Sequence, residues 1–215
     1  IPMLLQNNEQ DMQEMGMNIT AEDIYSINHS SMKDAVVLFD GGCTGEIVSN
    51  QGLLLTNHHC GFDWIQYHST VEHDYLTHGF WAMSKEEELP CPGISAVMLK
   101  SMEDVTERVL EGVTKETSND ERAEIVTANI KKIKEEAEAN SDYQVIIKSF
   151  YHGNKYYMIY NEVFKDVRMV GAPPSNIGKF GGDTDNWMWP RHTGDFSVFR
   201  IYVSPDGKAA DYSED

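Results

Sequence analysis

Short apolar runs punctuated by turn residues dominate this chain and predict a mainly β protein with added helices. Residues 35–39 read as a buried strand and Gly41-Gly42 as a break. Residues 43–48 and 53–56 then form a hairpin about the turn Ser49-Asn50-Gln51-Gly52 and run into Asn57-His58-His59-Cys60. A strand is predicted over 94–100, a short helix over 103–110, and a second hairpin over 143–150 and 156–164 about His152-Gly153-Asn154. Residues 166–170 continue as strand and 171–191 form a loop dense in Gly, Pro and Trp. Residues 194–203 return as strand before Ser204-Pro205-Asp206-Gly207 turns the chain.

Two stretches break this rhythm. The first 28 residues read as helical: Pro2 suits a helix start, Gly16 its end, and Thr20 with Asp23 resembles a capping box for a second, short helix. Residues 120–139 form one long helix, capped by Ser118 or Asn119, with a narrow stripe of Ile125, Val126, Ile130 and Ile133 among charges. So narrow a stripe predicts a mostly wet helix, an insertion at about 118–140 on the surface of a β body. Residues 61–94 are expected to be irregular, with Glu86-Glu87-Glu88 as a solvated face.

Charge narrows the classes of function. With 17 Lys and Arg against 35 Asp and Glu in 215 residues, the formal charge is −18, and no basic patch is left to grip phosphates. No apolar run approaches the roughly 20 residues of a membrane-spanning helix. Residues 1–17 lack the basic start of an export signal, so any such signal is expected to have been removed already. The three cysteines are an odd number; Cys43 and Cys60 stand at opposite ends of the first hairpin, where a disulfide and two buried thiols both fit, leaving Cys91 over.

A histidine at a strand end, just before a cysteine paired to the far end of the hairpin, is where chymotrypsin-like serine peptidases place their general base. The segment 43–60 resembles their Cys to Ala-Ala-His-Cys hairpin. Such a base needs an acid to hold its tautomer. In those folds the acid opens a later strand in the order Asp, apolar, small, apolar, apolar, basic, apolar, and Asp195-Phe196-Ser197-Val198-Phe199-Arg200-Ile201 follows it, making Asp195 the preferred partner of His59. The competing carboxylates Asp183 and Asp185 make half of a calcium-loop pattern without its remaining ligands. His58, His59, His68, His73 and His78 lack the spacing of a zinc motif, so no metal or other cofactor is expected.

A longer set of motifs is more specific: Asp11-Met12-Gln13-Glu14-Met15-Gly16, Gly42-Cys43-Thr44-Gly45, Leu53 to Gly61, Glu72-His73-Asp74-Tyr75-Leu76, Gly79-Phe80-Trp81-Ala82, and Asp185-Asn186-Trp187-Met188-Trp189-Pro190-Arg191-His192-Thr193-Gly194-Asp195-Phe196. Through these the chain resembles the bacterial dipeptidyl-peptidases of the seven and eleven type, chymotrypsin-like exo-serine-peptidases, along essentially its whole length. The resemblance implies the first β-barrel of a trypsin-like double barrel and a periplasmic or cell-surface location. It also implies a homodimeric parent that takes oligopeptides with free N-termini. It makes His59 the base and Asp195 its orienting partner, and it matches Asn186 and Trp187 to positions that recognise the substrate amine.

One part of that chemistry is missing. A nucleophilic serine sits in a tight Gly-containing loop beside oxyanion-holding N–H donors, and no Gly-x-Ser-Gly occurs between Ile1 and Asp215. The expectation is an N-terminal part of a peptidase, inactive alone, and the resemblance implies that its serine follows Asp215 beyond a large helical domain. A peptide-binding homologue without catalysis, or less favourably a metal-dependent hydrolase, are the alternatives.

Overall fold

A computed structural model of the chain describes residues 2–26, 29–178, 189 and 193–209. Its helices are α1 Pro2–Glu14, α2 Ala21–Ile24, α3 His58–His68, α4 Tyr75–His78, α5 Thr106–Val109, α6 Asn119–Glu138 and α7 Ser175–Gly178. Its strands are β1 Val36–Phe39, β2 Cys43–Ile47, β3 Leu53–Thr56, β4 Phe80–Trp81, β5 Leu89–Pro90, β6 Ala96–Asp104, β7 Gln144–Phe150, β8 Lys155–Phe164, β9 Val167–Ala172 and β10 Ser197–Ile201. They fall into two compact units, residues 1–34 with 98–162 and residues 35–97 with 163–215.

In the first unit, α1 ends at Glu14, the chain turns through Gly16 at a φ of 105° that residues with a Cβ rarely adopt, and α2 opens with the anticipated capping box between Thr20 and Asp23. The long helix α6 is also capped by a reciprocal pair, Ser118 with Glu121. Its stripe is less wet than the sequence implies. Val126 and Ile133 bury with Val105, Val109, Val145, Tyr156 and Met158, so α6 and the β7–β8 hairpin share a core of their own. At the tip of that hairpin the chain passes through left-handed φ values at Tyr151, His152 and Gly153.

The second unit carries the predicted first hairpin and the returning strand. Its antiparallel strands follow the order β4-β9-β10-β3-β2-β1, with β5 also on β9; among the described residues this is an open path. β10 lies centrally, pairing Ser197 with Thr56 of β3 and Ile201 with Val167 of β9. The buried residues of this unit include Leu54, Val37, Val167, Met169 and the ring pair Phe39–Phe199, 4.8 Å between centroids.

Three local expectations change here. Residues 61–94 are less irregular than expected, because α3 runs from His58 to His68. Its aromatic residues are indifferent helix formers, but His58, Gly61 and Ile65 recur at helical spacing and bury one face, which outweighs propensity. The cysteines join as Cys43–Cys60, Cα atoms 6.1 Å apart, but the bond ties β2 to the first turn of α3 rather than strand to strand. Cys91 is the free thiol, fully buried, and burial pushes its pKa up to about 12, which keeps it unreactive. Lastly, Glu88 leaves the acidic run for the interior, where it meets Arg200 and Tyr202.

The disulfide closes a loop of 17 residues, worth about 3 kcal/mol through the unfolded chain. Replacing Cys43 and Cys60 together by serine is expected to lower the urea midpoint accordingly. An unchanged midpoint contradicts this.

Candidate active site

Asp195 stands two residues before β10, and His59 is the second residue of α3. The strand end and the helix end are drawn together by close packing. A Cβ on Gly61 would come within 2.6 Å of Ser197 Oγ and 3.1 Å of the Phe199 ring, so only glycine lets the helix lie this close to β10. Ser197, fully buried, donates its hydroxyl to the main-chain oxygen of Asn57 at 2.8 Å. On another side of the same turn the His58 ring lies against Gly178 of α7, where a Cβ would meet the ring at 2.4 Å.

The result is a carboxylate surrounded by donors. Asp195 Oδ2 lies 2.8 Å from His59 Nδ1, Oδ1 accepts from the His59 main-chain N–H at 3.1 Å, and Oδ2 also accepts from Asn57 Nδ2 at 3.3 Å. An ionised carboxylate can only accept, so in the neutral imidazole it is Nδ1 that carries the proton and Nε2 that keeps a lone pair. The Asp195 side chain is 18% exposed and the His59 ring 62%. A base with a fixed tautomer and an open face is what proton abstraction from an incoming hydroxyl requires.

Of the residues singled out from sequence, the structure brings His59 together with Asp195 and joins Cys43 to Cys60. Asn186 and Trp187, and the calcium candidates Asp183 and Asp185, lie outside the described residues. The histidines weighed as zinc ligands are dispersed in role. His58 is buried, His59 is held by Asp195, and His68 Nε2 lies 2.8 Å from the Pro90 carbonyl. His73 stacks on Tyr75, and His78 closes α4. Burial lowers the pKa of His68 below the ordinary 6.5, against the pull of that carbonyl. Among the described residues no three His, Cys, Asp or Glu are grouped to hold a metal ion, and no helix is long and apolar enough to cross a membrane.

Sequence reasoning missed Asn57 and Ser197 as partners of this site. A signal was present for both: Asn57 precedes the histidine pair at what becomes a helix start, and Ser197 is the small residue two beyond the acid.

The chain is similar to known proteins along its whole length. Residues 1–215 match the Peptidase S46 family. An Asp/Glu-specific dipeptidyl-peptidase of Flavobacterium psychrophilum is 54% identical over 216 residues, covering 100% of this chain and 30% of that protein. Dipeptidyl-peptidase 7 of Porphyromonas gingivalis is 51% identical over 215 residues, covering 99% and 30%. Among solved structures, Porphyromonas endodontalis DPP11 in complex with the dipeptide Arg-Glu aligns with a TM-score of 0.84 at 49% identity, over 100% of this chain and 32% of that one. The chain thus spans about 30% of the length of the curated relatives it matches.

Proposed function

The chain belongs to the Peptidase S46 family, and from that premise we propose that it supplies two members of a catalytic triad to a serine-type dipeptidyl-peptidase. The full-length protein releases dipeptides from oligopeptides with free N-termini. The observation that carries the reading is the 2.8 Å contact between His59 Nδ1 and Asp195 Oδ2, on a chain half identical to proteins named for that activity.

In the reaction, His59 Nε2 takes the proton of a serine hydroxyl as that oxygen attacks the second peptide bond of the substrate. It then returns the proton to the departing amine, while Asp195 keeps the imidazole aligned and stabilises its charged form. No Gly-flanked serine of the required kind lies within residues 1–215, and the nucleophile and its oxyanion donors come from the remainder of the full-length protein. The exposed ring of His59 is open to such a partner. Asn186 and Trp187 hold the substrate's ammonium group, the amide oxygen by accepting from it and the indole by its face, so that a fixed distance from the amine selects the bond two residues in.

The disulfide supports an oxidising, periplasmic or cell-surface location. The trypsin-like double barrel and the homodimer are carried over from the family resemblance. A direct test uses the full-length protein and matched oligopeptides with free and acetylated N-termini, read by mass spectrometry. Dipeptides are expected from the free peptides alone; equal cleavage of both, or internal cleavage, contradicts the reading.

A further inference from the structure

Asn57 occupies the N-cap position of α3, where an asparagine ordinarily turns its side-chain oxygen onto the free N–H groups of the first turn. It makes no such bond. Its amide nitrogen lies instead 3.2 Å from the main-chain oxygen of Asp195 and 3.3 Å from Asp195 Oδ2. Both neighbours are acceptors, so only the NH2 end of the amide can face them. The cap is supplied by Asp195 itself, whose Oδ1 accepts from the His59 N–H. The carboxylate that holds the His59 ring therefore also closes the N-terminus of the helix carrying that ring, where the helix dipole favours negative charge.

We propose that Asn57 is a positioning residue for the triad, resting on the reading of His59 and Asp195 given above. Its amide fixes the Asp195 carboxylate in the one orientation that serves both the Nδ1 proton and the main-chain N–H of His59. Ser197 holds Asn57 in turn through the main-chain oxygen. Asn57 gives up its own cap so that its donor can face the acid, and it acts only through Asp195.

The other ionisable groups on the elements packed around α3 are His58, Asp63, Tyr67 and His68 on the helix itself, and Asp74, Tyr75 and His78 at α4. β9 and β10 carry Arg168, bound to Asp166, and Arg200, bound to Glu88.

Two variants of the full-length protein test this. Asn57→Ala removes the donor, and kcat is expected to fall about 10- to 100-fold with KM within about twofold, the range of one hydrogen bond to a charged group. Asn57→Asp keeps the size of the side chain and offers the start of α3 an acceptor, so it preserves the fold if the alanine variant does not, but it sets a second carboxylate against Asp195. Like charges so close hold a proton to higher pH, so the acid limb of kcat/KM against pH should move upward by about one unit. An Asn57→Ala protein with wild-type kcat, or an Asn57→Asp protein with an unmoved acid limb, overturns the proposal. Dipeptide release that survives His59→Ala overturns the underlying reading and the positioning role with it. Release that depends on His59 but ignores both Asn57 variants overturns the positioning role alone.

Discussion

Alanine in place of His59 is expected to lower kcat for dipeptide release by the full-length protein about 10⁴- to 10⁶-fold, with KM near the wild-type value. The size follows from the proposed role: without Nε2 nothing would take the serine proton or return it, and only binding and oxyanion stabilisation would remain. Asp195→Asn should cost about 10⁴-fold while leaving the fold intact, and the contacts explain why. Three donors converge on the carboxylate: His59 Nδ1, the His59 N–H and Asn57 Nδ2. An amide offers one accepting end, so whichever way it turns, at least one donor faces an NH2 group. The variant either loses the helix contact or favours the wrong imidazole tautomer. Steady-state kinetics alongside circular dichroism and thermal melts decide the matter. If a well-folded Asp195→Asn enzyme keeps a tenth of its kcat, Asp195 is not the acid of the triad.

The largest loss of stability is expected at Glu88, well away from the chemistry. Its side chain is 2% exposed, and Arg200 Nε donates to both carboxylate oxygens at 2.8 and 3.1 Å. Tyr202 donates its hydroxyl to Oε2 at 2.9 Å, and the Arg200 Nη1 group reaches the Gln51 carbonyl. Burial and the Glu88 contact push the Tyr202 pKa up to about 12, so the phenol stays a donor. Glu88→Ala strands the Arg200 charge in a site 15% open to water and should cost about 3 to 5 kcal/mol in urea unfolding. Replacing Glu88 and Arg200 together by methionine removes the stranded charge and should recover most of that loss. A single variant as stable as the wild type, or a double variant no better than the single, is the contrary result.

That ion pair also marks the limit of what the sequence reveals. Three consecutive glutamates look like a wet surface because local pattern carries no information about a partner 112 positions away. The same limit hid α3. Its aromatic residues do not favour helix locally, and the face that stabilises it becomes visible only once β10 lies beneath it. Where structure is set by neighbours in the chain, the sequence was readable: the capping box at Thr20, a cap near Ser118, the turn at Gly52, and both hairpins. The pairing of His59 with Asp195 across 136 positions was readable only because the residues around each acid and base keep a recognisable order. Asn57 precedes the histidine pair but lies outside that order, and with α3 unforeseen its place at a helix start was hidden.

The bond between Cys43 and Cys60 fastens the first turn of α3 one residue beyond His59. The choice of production host thereby becomes part of the enzymology. Material made in a reducing cytoplasm would carry His59 on an unstapled helix end, and variant libraries screened there would score weakened stability as lost catalysis. Preparations intended for kinetic comparison therefore need a thiol titration first, with one free sulfhydryl per chain, that of Cys91, as the acceptance standard for this segment.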